Sequence, residues 1–205
     1  MSSPDPSEAA RRNTKPRGRS FGLVLGATLA LWGATAGSAD NLLTGSTLTR
    51  DGSLGSEQVP LEIPGTGGVF DIGESHGSRP GDGINLLHSF DVFKLASDDT
   101  ANFHADYPTE NIVVRVPDSV TIIEGSLDTE TGSNTNTANL YWLSPQGVIF
   151  GDDATLDVGG SLAVSTADSL NFDADDETQT FEALAGGQVP TFATARPEAF
   201  GFLGN

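Results

Sequence analysis

The chain of 205 residues contains no cysteine. That excludes a disulfide framework, a thiol nucleophile and any thiolate metal centre. Beyond residue 39 only five cations remain, Arg50, Arg79, Lys94, Arg115 and Arg196, and a single one of them is lysine. A surface so poor in positive charge repels phosphate backbones and anionic headgroups, so nucleic acid is excluded as a partner. Long apolar runs are missing too. The stretch Phe21–Trp32 is charge-free but short of the roughly 20 residues that cross a bilayer core, so the chain is not read as an integral membrane protein. No segment repeats its apolar residues with a 3.6-residue period, which removes amphipathic helices from the expected architecture.

What is present divides at residue 39. Met1–Ser20 is polar and holds Arg11, Arg12, Lys15, Arg17 and Arg19; Phe21–Trp32 is apolar; Ala34-Thr35-Ala36 and Gly37-Ser38-Ala39 are small. The order basic, apolar, small predicts a secretory signal peptide over 1–39, cut after Ala39, with Ala36 as the other site that fits. Arg11-Arg12 lies too far from the apolar run for a twin-arginine signal. Of the 10 cations and 28 acids in the whole chain, the leader carries five and two, leaving five cations against 26 acids, a net charge of −21. The remaining 166 residues suit one domain, 40–205, exported and solvated by its acids.

Within that domain short apolar–polar alternations recur, separated by turn formers. The clearest starts at Ala154, with Ala154, Leu156 and Val158 on one side; after Gly159-Gly160 it resumes with Leu162 and Val164. Others are 111–116, 120–127, 139–143 and 147–150, with turns at Pro117-Asp118, Ser144-Pro145-Gln146 and Gly151-Asp152-Asp153. An all-β fold follows. Sandwich, barrel and β-helix all remain open, because Gly159-Gly160 serves equally as a hairpin turn or as a corner of a coil. Two spacings lean toward a coil: Ile122 to Ile149 is 27 residues and Leu127 to Leu156 is 29, each near one turn of a parallel β-helix. Asn171–Thr178 reads as an acidic loop, and the apolar end from Phe200 as a coil without a cap.

Longer blocks carry a family resemblance. Residues 79–90 (RPGDGINLLHSF) resemble the block RPGxGxNLFHSF of filamentous-haemagglutinin-type adhesins, followed by Phe93 and by Ala101-Asn102-Phe103. Residues 111–116 (NIVVRV) resemble NILxRV, and 119–127 resemble SxIxGxI. Residues 139–151 (NLYWLSPQGVIFG) are similar to NLFLxNPxGIIFG, and 158–161 and 165–168 to VGGS and TAD. The agreement runs over about 48–170, which leaves 171–205 as a tail, read as the truncated start of an adhesin passenger. The resemblance is to the N-terminal secretion domain of these proteins. It implies a right-handed parallel β-helix with N-terminal capping strands and settles the choice that periodicity left open.

The resemblance also implies a role in two-partner secretion. Such a domain directs an adhesin to a dedicated outer-membrane β-barrel transporter, whose periplasmic domains recognise the incompletely folded segment. The protein would then be secreted or held at the surface of a Gram-negative cell, with host or cell-surface glycans as further partners. Folding outside the cell biases the direction of passage, each rung resting on the one before. The candidate recognition or nucleation residues are Asn85, Asn139, Leu140, Ser144, Pro145, Gln146 and Gly147. Proline fixes one turn angle, Gly147 permits an angle other residues resist, and an inward Asn amide can bond unpaired backbone groups. The family turn usually reads Asn-Pro-Asn-Gly; Ser144 and Gln146 replace both asparagines here, and glutamine tolerates left-handed geometry less well.

No catalytic residues, cofactor or metal site are expected. His76, His88 and His104 are scattered along the chain with no cysteine to assist, and nothing in the sequence places them together. Paired acids at Asp98-Asp99, Asp152-Asp153 and Asp175-Asp176 fall in turns, where solvated caps are the simplest role. The cluster Asp173–Glu177 has oxygen ligands for Ca²⁺ but not EF-hand spacing. No Gly-x-Ser-x-Gly elbow frames a serine. The alternative function is a small secreted β-helix that binds or cleaves polysaccharide, since clustered aspartates on β-helices perform acid–base chemistry on sugars.

Overall fold

The computed structural model describes residues 42–54, 68–105, 108–129, 137–174, 177–184, 186–187, 189–191 and 193–202. The leader and its cleavage site at Ala39 lie outside the described residues, as do Asp175 and Asp176. Among the described residues there are fourteen strands and two one-turn 3-10 segments, Glu74–His76 and Pro80–Asp82. No helix among them is long and apolar enough to cross a membrane.

Ten of the strands build a coil with three faces. The first face stacks the start of β3 (Asn85–Leu95), β5 (Asn111–Arg115), β8 (Asn139–Leu143) and β11 (Leu162–Ser165) in parallel. The second stacks the end of β3, β6 (Thr121–Ile123) and β9 (Val148–Phe150). The third stacks β2 (Val69–Ile72), β4 (Thr100–Phe103), β7 (Ser126–Asp128) and β10 (Thr155–Asp157). Strand β3 is long because it turns the corner and serves two faces: Asn85–Ser89 pair with β5, Lys94 and Leu95 with β6. The chain visits the faces in fixed order and returns one layer further on, which is a parallel β-helix. Strand β1 (Thr47–Arg50) runs antiparallel to β3 at the N-terminal end.

The register confirms the two spacings that favoured a coil: Ile122 pairs with Ile149 and Leu127 with Leu156. Gly159-Gly160 is a corner and not a hairpin, because β10 pairs with β7 while β11 pairs with β8. Inward residues alternate along each strand. Leu86, Ile112 and Leu140 stack on one another, and Phe90, Phe93, Phe103 and Trp142 fill the coil with edge-to-face rings. Leu156 and Val164 also stand over core residues, Leu127 and Trp142, yet they are 48% and 39% exposed, since β9, β10 and β11 form the last layer.

Among the described residues the tail does not extend the coil. The boundary at 170/171 falls inside β12 (Ser169–Ala174), which pairs antiparallel with β13 (Glu177–Glu182) and β14 (Arg196–Gly201). The stretch read as an acidic loop therefore lies largely in a hairpin. Leu170, Phe172 and Phe181 of this lateral sheet bury the outward side chains Leu87, Val113 and Leu143 of the first face. A strand covered on both faces reads as a continuous apolar run, and β5 (NIVVR) is buried at every position.

Candidate functional site

Three of the four strands of the first face, β3, β5 and β8, begin with an asparagine. Asn85, Asn111 and Asn139 occupy the same register position, 26 and 28 residues apart. The Asn111 amide donates to Asn85 Oδ1 at 2.8 Å, and the Asn139 amide to Asn111 Oδ1 at 3.1 Å. At the top, Asn85 Nδ2 donates to the Ala195 carbonyl at 2.7 Å; at the bottom, Asn139 Oδ1 accepts the Ser161 N–H at 3.0 Å. Such a ladder satisfies the polar atoms of each amide with a copy of itself. The asparagines share the outward parity of Leu87 and Ser89, so the expected inward amide is corrected: the coil interior is filled with apolar rings, and the amides stand on the face that the lateral sheet flanks. Asn111 was not among the sequence candidates; its distance from both neighbours, one coil turn each way, was the available signal. Leu140, next to Asn139, is fully buried and faces the core.

The second candidate element is the turn after β8. The Gly147 N–H donates to the Ser144 carbonyl at 2.8 Å, closing a four-residue β-turn with Pro145 at its second position. Ser144 is fully buried; its hydroxyl donates to the Gly147 carbonyl at 2.9 Å and accepts from Thr121 Oγ1 at 3.2 Å. Thr121 in turn accepts the Trp142 indole N–H at 3.1 Å. Serine thus takes a bonding role inside the corner and links it to the ring core. Gly147 has φ 110°, the left-handed side of the map, whereas Gln146 does not: among the described non-glycine residues only Asp82 has positive φ. Glutamine is therefore under no backbone strain, and it points to solvent.

Two polar assemblies were not anticipated. Arg115, on β5, is fully buried, and its guanidinium donates to Ser89 Oγ (2.7 Å), Ser53 Oγ (2.8 Å) and the Glu182 carbonyl (2.6 Å), with its carbon 4.7 Å from the Phe181 ring centre. One side chain thereby joins the N-terminal segment, two coil layers and the lateral sheet. Burial lowers its proton affinity, and the Asp51 and Glu182 carboxylates oppose that. At the corner after β6, the Glu124 carboxylate accepts the backbone N–H groups of Leu42 (2.6 Å) and Leu43 (2.9 Å), fastening the start of the described chain to the middle layer.

The histidines are not scattered. His76, His88 and His104 lie within electrostatic reach of one another and of Arg50, which corrects the sequence reading. His88 projects inward from β3, fully buried against Phe90 and Phe103, and neither ring nitrogen has a hydrogen-bond partner. Burial drives its pKa down to about 3; the His76 backbone is the next-largest influence and opposes this, while the charges of His76, His104 and Arg50 lower it further. His76 is lowered as well, mainly by burial and then by Arg50 and His104, with Asp71 opposing. No group of three or more histidine, aspartate or glutamate side chains among the described residues has a metal-holding arrangement. Asp173 and Glu177, from the suggested Ca²⁺ cluster, sit in adjacent pairs of the hairpin, Asp173–Thr178 and Ala174–Glu177, and so on opposite faces of it.

A three-faced parallel coil with an asparagine ladder and a side sheet defines a β-solenoid protein. The sequence matches the TPS secretion domain family over residues 46–192, and the chain belongs to that family. Comparison with curated proteins and with solved structures gives no match. The family is one of targeting domains, not of enzymes. Membership marks the chain as a two-partner-secretion exoprotein, exported from Gram-negative bacteria through an outer-membrane transporter.

Proposed function

We propose that residues 40–205, freed of a signal peptide by cleavage after Ala39, are the segment of an adhesin-like exoprotein that the periplasmic domains of its outer-membrane transporter recognise, and that the coil nucleates at the asparagine ladder and the Ser144–Gly147 turn once outside. The observation that carries this is the coincidence of the family match with the ladder: Asn85, Asn111 and Asn139 open three stacked strands and bond in series. A parallel coil has a costly first layer, because its strands are distant in sequence, and cheap later ones. Identical amides in register lower the cost of that first pairing. Ser144 and Thr121 fix the next corner in the same way, leaving Pro145, Gln146 and Gly147 at its surface for a partner.

The test is co-expression with the cognate transporter, measuring the protein in the medium. Export that depends on the transporter, and that falls when Asn139→Ala or Pro145→Ala is introduced, supports the assignment. Equal export with and without the transporter would refute targeting. Normal export of variants shown to refold slowly would refute nucleation as the driving step.

A further inference from the structure

The first face contains two buried polar side chains that the coil cannot satisfy by itself. Asn85, 1% exposed, completes its ladder on the Ala195 carbonyl, 110 residues later. Arg115, fully buried, completes its fork on the Glu182 carbonyl, 67 residues later. A third bond runs beside them, from the Ile84 N–H to the Ala193 carbonyl at 2.8 Å. The seat for this segment is shaped to it: a Cβ placed on Gly83 would lie 1.7 Å from the Ala193 carbonyl oxygen, so only glycine lets the two backbones meet. Arg196, just beyond, reaches the Glu110 carboxylate at 3.1 Å. All of these contacts fall on the two earliest strands of the face, and all come from the end of the described chain.

We propose that Glu182 and residues 193–196 are a lock, whose arrival on Ile84, Asn85 and Arg115 commits the coil to its folded state. Until those residues arrive, an amide and a guanidinium on the outside of β3 and β5 lack a carbonyl partner and keep their water. Early layers formed from the N-terminal half alone are therefore reversible. The lock is a claim about folding and goes beyond the transporter reading. Where that reading holds, it explains how the emerging domain stays pliable until residue 196 has passed.

The experiment is hydrogen exchange read by mass spectrometry on the full chain, native and Gly83→Ala. The substitution removes no coil hydrogen bond and obstructs only the seat for Ala193. The expected result is exchange about ten- to a hundredfold faster across 85–89 and 111–115 as well as across 193–201, the size of change that loss of buried polar partners produces. Unchanged protection in the coil, with acceleration confined to 193–201, would overturn the lock. Should Gly83→Ala not fold, Arg115→Lys, which keeps the charge but lacks the fork, is read across 193–201 alone, where Arg115 itself makes no bond: faster exchange there supports the lock and unchanged exchange overturns it. Gly45→Ala, with no atom near its added carbon, is the control. Transporter-dependent export is scored separately, so a failed targeting assignment leaves the exchange result standing.

Discussion

Acid should destabilise this protein through His88. In the folded chain the imidazole is sealed among Phe90, Phe103 and the coil interior without a partner for either nitrogen, and its pKa is near 3. In the unfolded chain it returns to about 6.5. Between these values the unfolded state binds a proton that the folded state refuses, so stability is fully present above pH 6.5 and falls as pH drops toward 3. The slope is about 1.4 kcal/mol per pH unit, so acidifying from pH 7.5 to 5 costs about 2 kcal/mol, rising to about 4 kcal/mol near pH 3. His76, lowered in the same sense, adds to the loss. Urea denaturation at pH 7.5, 6.5, 5.5 and 5.0 measures it, on the native chain and on His88→Leu. The variant should show a pH dependence flatter by about 2 kcal/mol over that range, whatever its stability at pH 7.5. Parallel pH profiles for the two proteins would refute the buried neutral imidazole as the cause.

Further outcomes follow from the same geometry. Asn111→Leu breaks both amide bonds of the ladder and should cost about 2–3 kcal/mol, seen as a lower urea midpoint at constant slope. Gly160→Ala places a carbon 2.5 Å from the Ala138 carbonyl oxygen and should destabilise by about 1–3 kcal/mol in thermal unfolding, with the coil corner displaced. Gln146→Asn, which restores the common family residue at an exposed position with ordinary backbone angles, should change stability by less than about 0.5 kcal/mol. An altered export level in that variant would then report on recognition and not on folding.

The fold was legible where one coil turn leaves a numerical trace. Ile122 with Ile149 and Leu127 with Leu156 are true partners, and the blocks opening at Asn85, Asn111 and Asn139 are three layers of one face. The lateral sheet was not legible, because its contribution is to the outside of other strands. Leu87, Val113 and Leu143 read as ordinary strand residues until Leu170, Phe172 and Phe181 are seen against them. The histidine group escaped for a related reason. His76, His88 and His104 come from the 3-10 turn after β2, from β3 and from the exit of β4, and only the winding of the coil brings these segments to one place. Arg115 was visible only as part of a family block. Nothing in its local sequence announces that its partners are Ser53 and Glu182, so distant along the chain.

The asparagine ladder has a consequence for fidelity. In a parallel stack, shifting one strand by a single residue turns every side chain to the opposite side. Such a slip at β5 would set Ile112 beside the Asn85 amide and push Asn111 away from both neighbours, stranding hydrogen-bonding atoms at a covered surface. Alternative alignments of the apolar strands, which hydrophobic packing alone separates weakly, are thus penalised at one fixed position per layer. The three amides act as alignment marks, telling each arriving strand where to start.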